Sequence, residues 1–141
     1  MIWVVDSSVA VRWFIQEEAD PFADEVLERM VNEPARFAVP ELFSFEVFSV
    51  LHRLHPYAAL VFNQAIIPLL QCGIFRQPMT EELAVRASHF VRSGLTGYDA
   101  CYAALAKDLK GLWLTFDAKA HRLIEREKVS WLLTESLPRT W

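Results

Sequence analysis

Glycine is scarce in this chain, with four in 141 residues, and cysteine scarcer, with two. So few glycines, and no Asn-Gly or Asp-Gly pair between strand-like runs, leave no hairpin signals and argue against an antiparallel meander. Cys72 and Cys101 lie far apart, with no CxxC and no metal spacing, so neither a disulfide framework nor a thiolate site is expected. Cys101, among apolar helical residues, reads as a small core side chain. There is no excess of positive charge: 14 Lys and Arg stand against 18 Asp and Glu, for a net charge of −4. A protein that grips nucleic acid by its overall field has the opposite sign. Neither GxGxxG nor a P-loop occurs, which removes the phosphate cradles of dinucleotide folds and NTPases. The oiliest stretch, Tyr57 to Phe75, is broken by Asn63, Gln64, Pro68 and Gln71 and is no membrane span. No basic segment precedes an apolar one at the start, so no secretory signal is expected, and a cytoplasmic, reducing location is.

What is abundant is apolar bulk. The hydrophobic fraction is 53%, with five Trp and ten Phe, and the mean hydropathy is +0.18. A single domain over residues 1–141 has room for a sizeable core. The surplus implies an apolar face kept for another copy or another protein.

The chain is organised around Met1-Ile-Trp-Val-Val-Asp6, an unbroken β-prone run ended by an acid. A strand without polar alternation is covered on both faces, as in the middle of a parallel sheet. Ser8 is expected to cap a short helix over residues 9–15. Asp20-Pro21 places an N-cap before a proline at the first helical position. Residues 36–39 form a second short strand, stopped by Pro40. A helix over 41–55 is apolar nearly all round, and an oily helix follows from Tyr57 through Pro68 to Leu69-Leu70. These two helices carry the hydrophobic surplus, so the partner surface is expected there. Residues 73–78 read as a strand, and Thr80-Glu-Glu-Leu83 starts a helix with Leu83, Ala87, Phe90 and Val91 inward. Thr96-Gly-Tyr-Asp99 opens an alanine-rich helix over 100–110, with Gly111 as its C-cap. Leu112-Trp-Leu-Thr-Phe-Asp117 repeats the grammar of the first strand. A charged helix over 118–128 and a last strand over 129–133 complete the alternation. The pattern predicts an α/β fold, a three-layer sandwich with a central parallel sheet flanked by helices.

Four carboxylates stand apart from the rest. Asp6 and Asp117 end apolar strands, where parallel sheets bind ligands, but each alone reads equally as a helix cap. Glu46 has Leu42, Phe43 and Val50 as helical neighbours, and a bare carboxylate there would cost several kcal/mol or take up a proton. A metal ion, a solvated strip or an ion pair with Arg12 would each resolve it. Asp99 fits a capping pattern with Thr96, yet a helix N-terminus beside strand ends is also where an acidic site is assembled. Hard cations such as Mg²⁺ and Mn²⁺ take oxygen ligands from several elements without Cys or His. The four acids therefore suggest a metal-dependent phosphodiesterase. Setting them aside leaves 14 acidic against 14 basic residues, a surface that does not repel an anion.

Four segments together resemble the PIN-domain ribonucleases. They are Ile2-Trp-Val-Val-Asp6-Ser-Ser-Val-Ala10, Pro40-Glu-Leu-Phe-Ser-Phe-Glu46-Val, Leu95-Thr-Gly-Tyr-Asp99-Ala-Cys-Tyr-Ala-Ala-Leu-Ala106 and Leu112-Trp-Leu-Thr115-Phe-Asp117. The likeness is to the VapC type, toxins of type II toxin–antitoxin pairs. The resemblance implies a PIN-like fold and a Mg²⁺- or Mn²⁺-dependent endoribonuclease that hydrolyses RNA, tRNA among the candidates, with a metal-activated water. It also implies a homodimer and a cognate antitoxin protein. The acidic quartet, catalytic and metal-binding, carries over to Asp6, Glu46, Asp99 and Asp117, and Thr115 matches the hydroxyl that orients the last acid. Ser49 departs from the pattern, since many relatives have Asn three residues after the Glu. Arg12, Lys119 and Arg122 follow strand ends and are candidate contacts to RNA phosphates. The four histidines have no ligand spacing and are expected to face solvent.

Rival readings fare less well. A receiver-like phosphate-accepting domain needs paired acids after the first strand, and Val5 precedes Asp6. An aspartyl phosphatase needs Asp-x-Asp, and Ser8 occupies the second position. A non-catalytic PIN-fold protein-binding module keeps the fold and drops the chemistry; four acids in place argue against it.

Overall fold

The computed structural model describes residues 1–141. Five short strands, β1 (Trp3–Val5), β2 (Phe37–Pro40), β3 (Phe75–Gln77), β4 (Leu112–Thr115) and β5 (Ser130–Leu132), form one sheet in the order β3-β2-β1-β4-β5. Every neighbouring pair is parallel. β1 is central and buried along its whole length, as its unbroken apolar run requires. The chain runs outward from β1 to β2 and β3, then returns across the sheet to β4 and β5. The reversal falls at β1, and the crevice beyond its carboxyl end is where open parallel sheets bind ligands.

Helices cover both faces. α1 (Ser7–Phe14) packs on α2 (Pro21–Asn32) and α3 (Leu42–Leu54), and α3 lies on β2. Asp20 accepts a hydrogen bond from the Phe22 N–H at 2.8 Å and Pro21 opens α2, the expected cap. After α3 come α4 (Ala58–Val61), a π-helical turn (Phe62–Ile66) and α5 (Ile67–Leu70). Pro68, whose ring cannot accept a regular preceding turn, sits just beyond that widened segment. α6 (Glu81–Arg92) begins at Thr80, whose Oγ1 accepts from the Leu83 N–H at 3.1 Å. It packs outside α7 (Gly97–Asp108), which lies against β1, β2 and β4. Four alanines and Leu105 of α7 are fully buried, and small side chains let the helix approach the sheet closely. Val91, expected inward, is exposed. α8 (Ala118–Ile124) is shorter than expected, because a 3₁₀ turn (Glu125–Glu127) and the left-handed Lys128 (φ 56°) end it.

Alternation along the strands divides the core into two layers. Trp3 and Phe37 meet the C-terminal Trp141, with ring centroids 5.2 and 6.1 Å apart, and Arg29 of α2 lies over that indole at 4.6 Å. On the other face Trp113 stacks on Tyr102 of α7, centroids 5.9 Å apart and nearly parallel. The indole N–H groups of Trp3 and Trp113 are buried without a hydrogen-bond partner. The apolar surplus emerges at α3 and α4, where Phe45, Phe48, Leu54, Tyr57 and Leu60 are exposed. No helix is long and apolar enough to cross a membrane.

The end of α7 corrects the sequence reading. Lys110, not Gly111, takes the left-handed conformation (φ 53°). The Lys110 N–H bonds Lys107 O at 3.2 Å and the Gly111 N–H bonds Ala106 O at 2.8 Å, the paired bonds of a Schellman motif. A lysine there bears a steric cost that glycine would not. Lys110→Gly is therefore expected to stabilise the protein by about 0.5–1 kcal/mol, read as a higher urea midpoint with unchanged slope.

Candidate active site

Asp6 stands one residue beyond β1, at the N-cap position of α1, yet its side chain makes no capping bond. Instead its Oδ2 accepts two hydroxyl hydrogen bonds, from Ser8 Oγ at 2.6 Å and from Thr115 Oγ1 at 2.8 Å. Both hydroxyls are oriented from behind. The Phe116 N–H donates to Ser8 Oγ at 3.2 Å and the Asp117 N–H donates to Thr115 Oγ1 at 3.0 Å. Each hydroxyl thus accepts one N–H and turns its own proton toward Asp6. The turn after β4 thereby holds an acid on β1, which explains why Thr115 is fully buried. Ser8, expected as a helix cap, lies inside α1 and serves this network instead.

The remaining acids come from other elements. Asp117 caps α8, its Oδ1 accepting from the Ala120 N–H at 3.0 Å. Thr96 caps α7 by accepting from the Asp99 N–H at 3.1 Å, so the side-chain cap is the threonine's. The capping readings of Asp117 and of the Thr96 segment are therefore correct, and they coexist with carboxylates at the sheet's carboxyl edge. Glu46, half-buried on α3, pairs with no cation. Its Oε1 accepts from the hydroxyl of Tyr102 at 2.7 Å. The alternative of an Arg12 partner is overturned: Arg12 lies over the Phe116 ring at 4.1 Å and reaches Glu18 at 3.7 Å. Tyr102 was not singled out by the sequence. It lies three residues after Asp99, one helical turn along the same face, and that spacing was the available signal.

The four carboxylates feel one another. Burial pushes the Asp6 carboxyl up to about 6; its two hydroxyl donors oppose the shift and the charge of Glu46 adds to it. Asp99 is also pushed up to about 6, by burial first and then by the charges of Asp6 and Asp117. Burial raises Glu46 as well, against the Tyr102 hydroxyl and with the Asp99 charge. None of the molecule's ion pairs includes any of the four. No group of three or more Asp, Glu, His or Cys side chains is drawn tightly enough to enclose an ion as it stands. In chemistry the set fits a hard divalent cation: every donor is a carboxylate oxygen, and the charge is otherwise uncompensated.

Beside Glu46, a groove of about 440 Å³ is lined by Ser7, Leu42, Phe45, Glu46, Ser49, Val50 and Tyr98. Lys119 and Arg122, on the first turns of α8 just past Asp117, are exposed, and Arg12 is half-buried. His121 departs from expectation: its side chain is largely enclosed, with Nδ1 2.8 Å from Ser130 Oγ, because α8 packs on β5. His52 and His89 are exposed.

The fold and the acid-lined sheet edge together define a class. Residues 3–125 match the model of the PIN domain, and the chain belongs to the PIN domain family. Among solved structures it is similar to FitAB bound to an IR36 DNA fragment, at 16% identity over 88% of this chain and 91% of that one, with a TM-score of 0.68. It is likewise similar to VapC20 of Mycobacterium tuberculosis, a sarcin-ricin loop cleaving toxin (13% identity, 85% and 93% covered, TM-score 0.63). A third is VapBC-1 from nontypeable Haemophilus influenzae (13% identity, 89% and 94% covered, TM-score 0.62). No curated protein sequence matches the chain.

Proposed function

We propose that this protein is a Mg²⁺- or Mn²⁺-dependent endoribonuclease, the toxin of a type II toxin–antitoxin pair working in the cytoplasm as a single domain over residues 1–141. The observation that carries the reading is the quartet itself. Asp6, Glu46, Asp99 and Asp117 come from four different elements to one sheet edge, interact electrostatically and have no cationic side chain among them. Asp6 is buried and Glu46 and Asp99 are half-buried, and purely structural acids so placed would be paired with cations, because burying like charges is costly.

In this reading the four carboxylates hold the ion or ions. A bound Mg²⁺ or Mn²⁺ supplies two things: a lowered pKa for water and positive charge against the phosphodiester oxygens. The chain's own residues do the positioning. Ser8 and Thr115 fix the direction of the Asp6 carboxylate, and Asp117 is pinned by its bond to α8. One of the carboxylates serves as the base, since no histidine reaches the site. Arg12, Lys119 and Arg122 contact RNA phosphates on the flank, and RNA, tRNA included, is the substrate class. The resemblance to toxin–antitoxin structures supports a cognate antitoxin as partner, and the exposed apolar face of α3 and α4 supports a homodimer.

The test is cleavage of total RNA and of tRNA by the purified protein freed of any antitoxin. Cleavage is expected with Mn²⁺ or Mg²⁺, none with a chelator, and a loss of roughly 10²-fold or more in Asp99→Asn, several kcal/mol of transition-state stabilisation. A folded wild type that neither cuts RNA nor binds Mn²⁺ would retire the enzyme and leave a PIN-fold binding module.

A further inference from the structure

We propose that Tyr102 is the positioning residue of Glu46, holding its carboxylate for a divalent cation; this rests on the metal-dependent reading above. The geometry is specific. Tyr102 is fully buried, and its hydroxyl donates to Glu46 Oε1 at 2.7 Å. The buried donor is thus satisfied by this carboxylate. A bond that only stabilised the core would be met more cheaply by phenylalanine, which packs against Trp113 without a polar atom to satisfy.

The ring is fixed by the same packing. It stacks on Trp113, two residues before Thr115 on β4, with an interplanar angle of 14°. α7 thus contributes Asp99 and, one turn later, the group that aims an acid borne by α3. Two of its partner acids have guides of their own. Asp6 is gripped by two hydroxyls and Asp117 by a backbone N–H. Glu46 has a longer side chain on a helix face between the exposed Phe45 and the buried Val47. Ser7, at the start of α1, lies close enough to both Glu46 and Tyr102 to assist.

Outer partners of ligating carboxylates commonly tune metal affinity by 10- to 100-fold. Tyr102→Phe removes one oxygen and keeps the ring and its stack. Mn²⁺ titration by calorimetry is expected to show binding weakened about 10-fold, with the circular dichroism spectrum unchanged. In the Glu46→Gln background the same substitution should leave Mn²⁺ affinity unaltered, because the carboxylate it aims is gone. A structural role predicts otherwise: equal loss in both backgrounds, tracking thermal stability. Unchanged Mn²⁺ affinity of Tyr102→Phe beside a binding wild type would overturn the assignment and leave the nuclease reading standing. A wild type that binds no Mn²⁺ would overturn both.

Discussion

Asp6→Asn is expected to cripple RNA cleavage and, in chelator at neutral pH, to make the protein more stable. The two effects share a cause. Asp6 is 5% exposed and its carboxyl is held up to about 6, chiefly by burial. A native pKa above the unfolded one means that the folded state binds more protons between the two values. Stability is then greatest below the unfolded pKa of about 4, falls as pH rises through about 6, and stays low above it. Asp99, also raised to about 6, acts in the same direction. Metal-free wild type should therefore melt at a lower temperature at pH 7.5 than at pH 5. Asn keeps the shape and an oxygen for the Ser8 and Thr115 hydroxyls but carries no charge. It should recover roughly 1–3 kcal/mol at pH 7.5, the order expected for a carboxylate raised by about two pH units. Mn²⁺ should raise the melting temperature of wild type and much less that of the variant. Cleavage should fall by about 10²–10³-fold, several kcal/mol of lost charge stabilisation. A stability trade of this kind belongs to sites shaped for a ligand. An Asp6→Asn protein less stable than wild type at pH 7.5 in chelator would count against it.

Gly111→Ala should be the most damaging single-atom change outside the site. A Cβ at Gly111 would lie 2.0 Å from the carbonyl oxygen and 2.9 Å from the carbonyl carbon of Ile2. Neither is a side chain that can swing away. That carbonyl accepts from the Leu112 N–H at 3.1 Å, the bond that sets the register of β4 on β1. The alanine methyl must push the two central strands apart at their start. A cost of roughly 3 kcal/mol or more is expected, at the upper end for overpacking, and chemical denaturation measures it. Because β1 and β4 carry Asp6 and Thr115 at their far ends, folded Gly111→Ala protein should also bind Mn²⁺ more weakly. A loss under 1 kcal/mol would mean that the strands can slide to accept the methyl.

Much of this architecture is legible in the residues. The all-apolar runs before Asp6 and Asp117 state a doubly covered parallel sheet, because no exposed strand face would tolerate them. Asp20-Pro21, Thr80 and Thr96 mark helix starts because capping is a local matter between a side chain and the next turn's N–H groups. The four acids stand out because each is an ionisable group at the end or in the midst of apolar sequence. Gly111, by contrast, looks like a helix end until the approach of Ile2 is seen, since nothing local announces a neighbour more than a hundred residues away. Ser8 reads as a cap for the same reason: its partners, Asp6 and the Phe116 N–H, meet only after β1 and β4 pair. His121 turned inward because α8 packs on β5, a contact no spacing encodes.

The sequence by itself determined the fold class and the helix starts at Asp20, Thr80 and Thr96, all properties of periodicity and residue type within one element. Only the tertiary structure decided which hydroxyls hold which carboxylates. The Thr115 bond to Asp6 spans 109 residues and the Tyr102 bond to Glu46 spans 56. Such bonds exist because the strand order returns across β1, and burial, which also raises the carboxyl pKa values, comes from the same packing of layers.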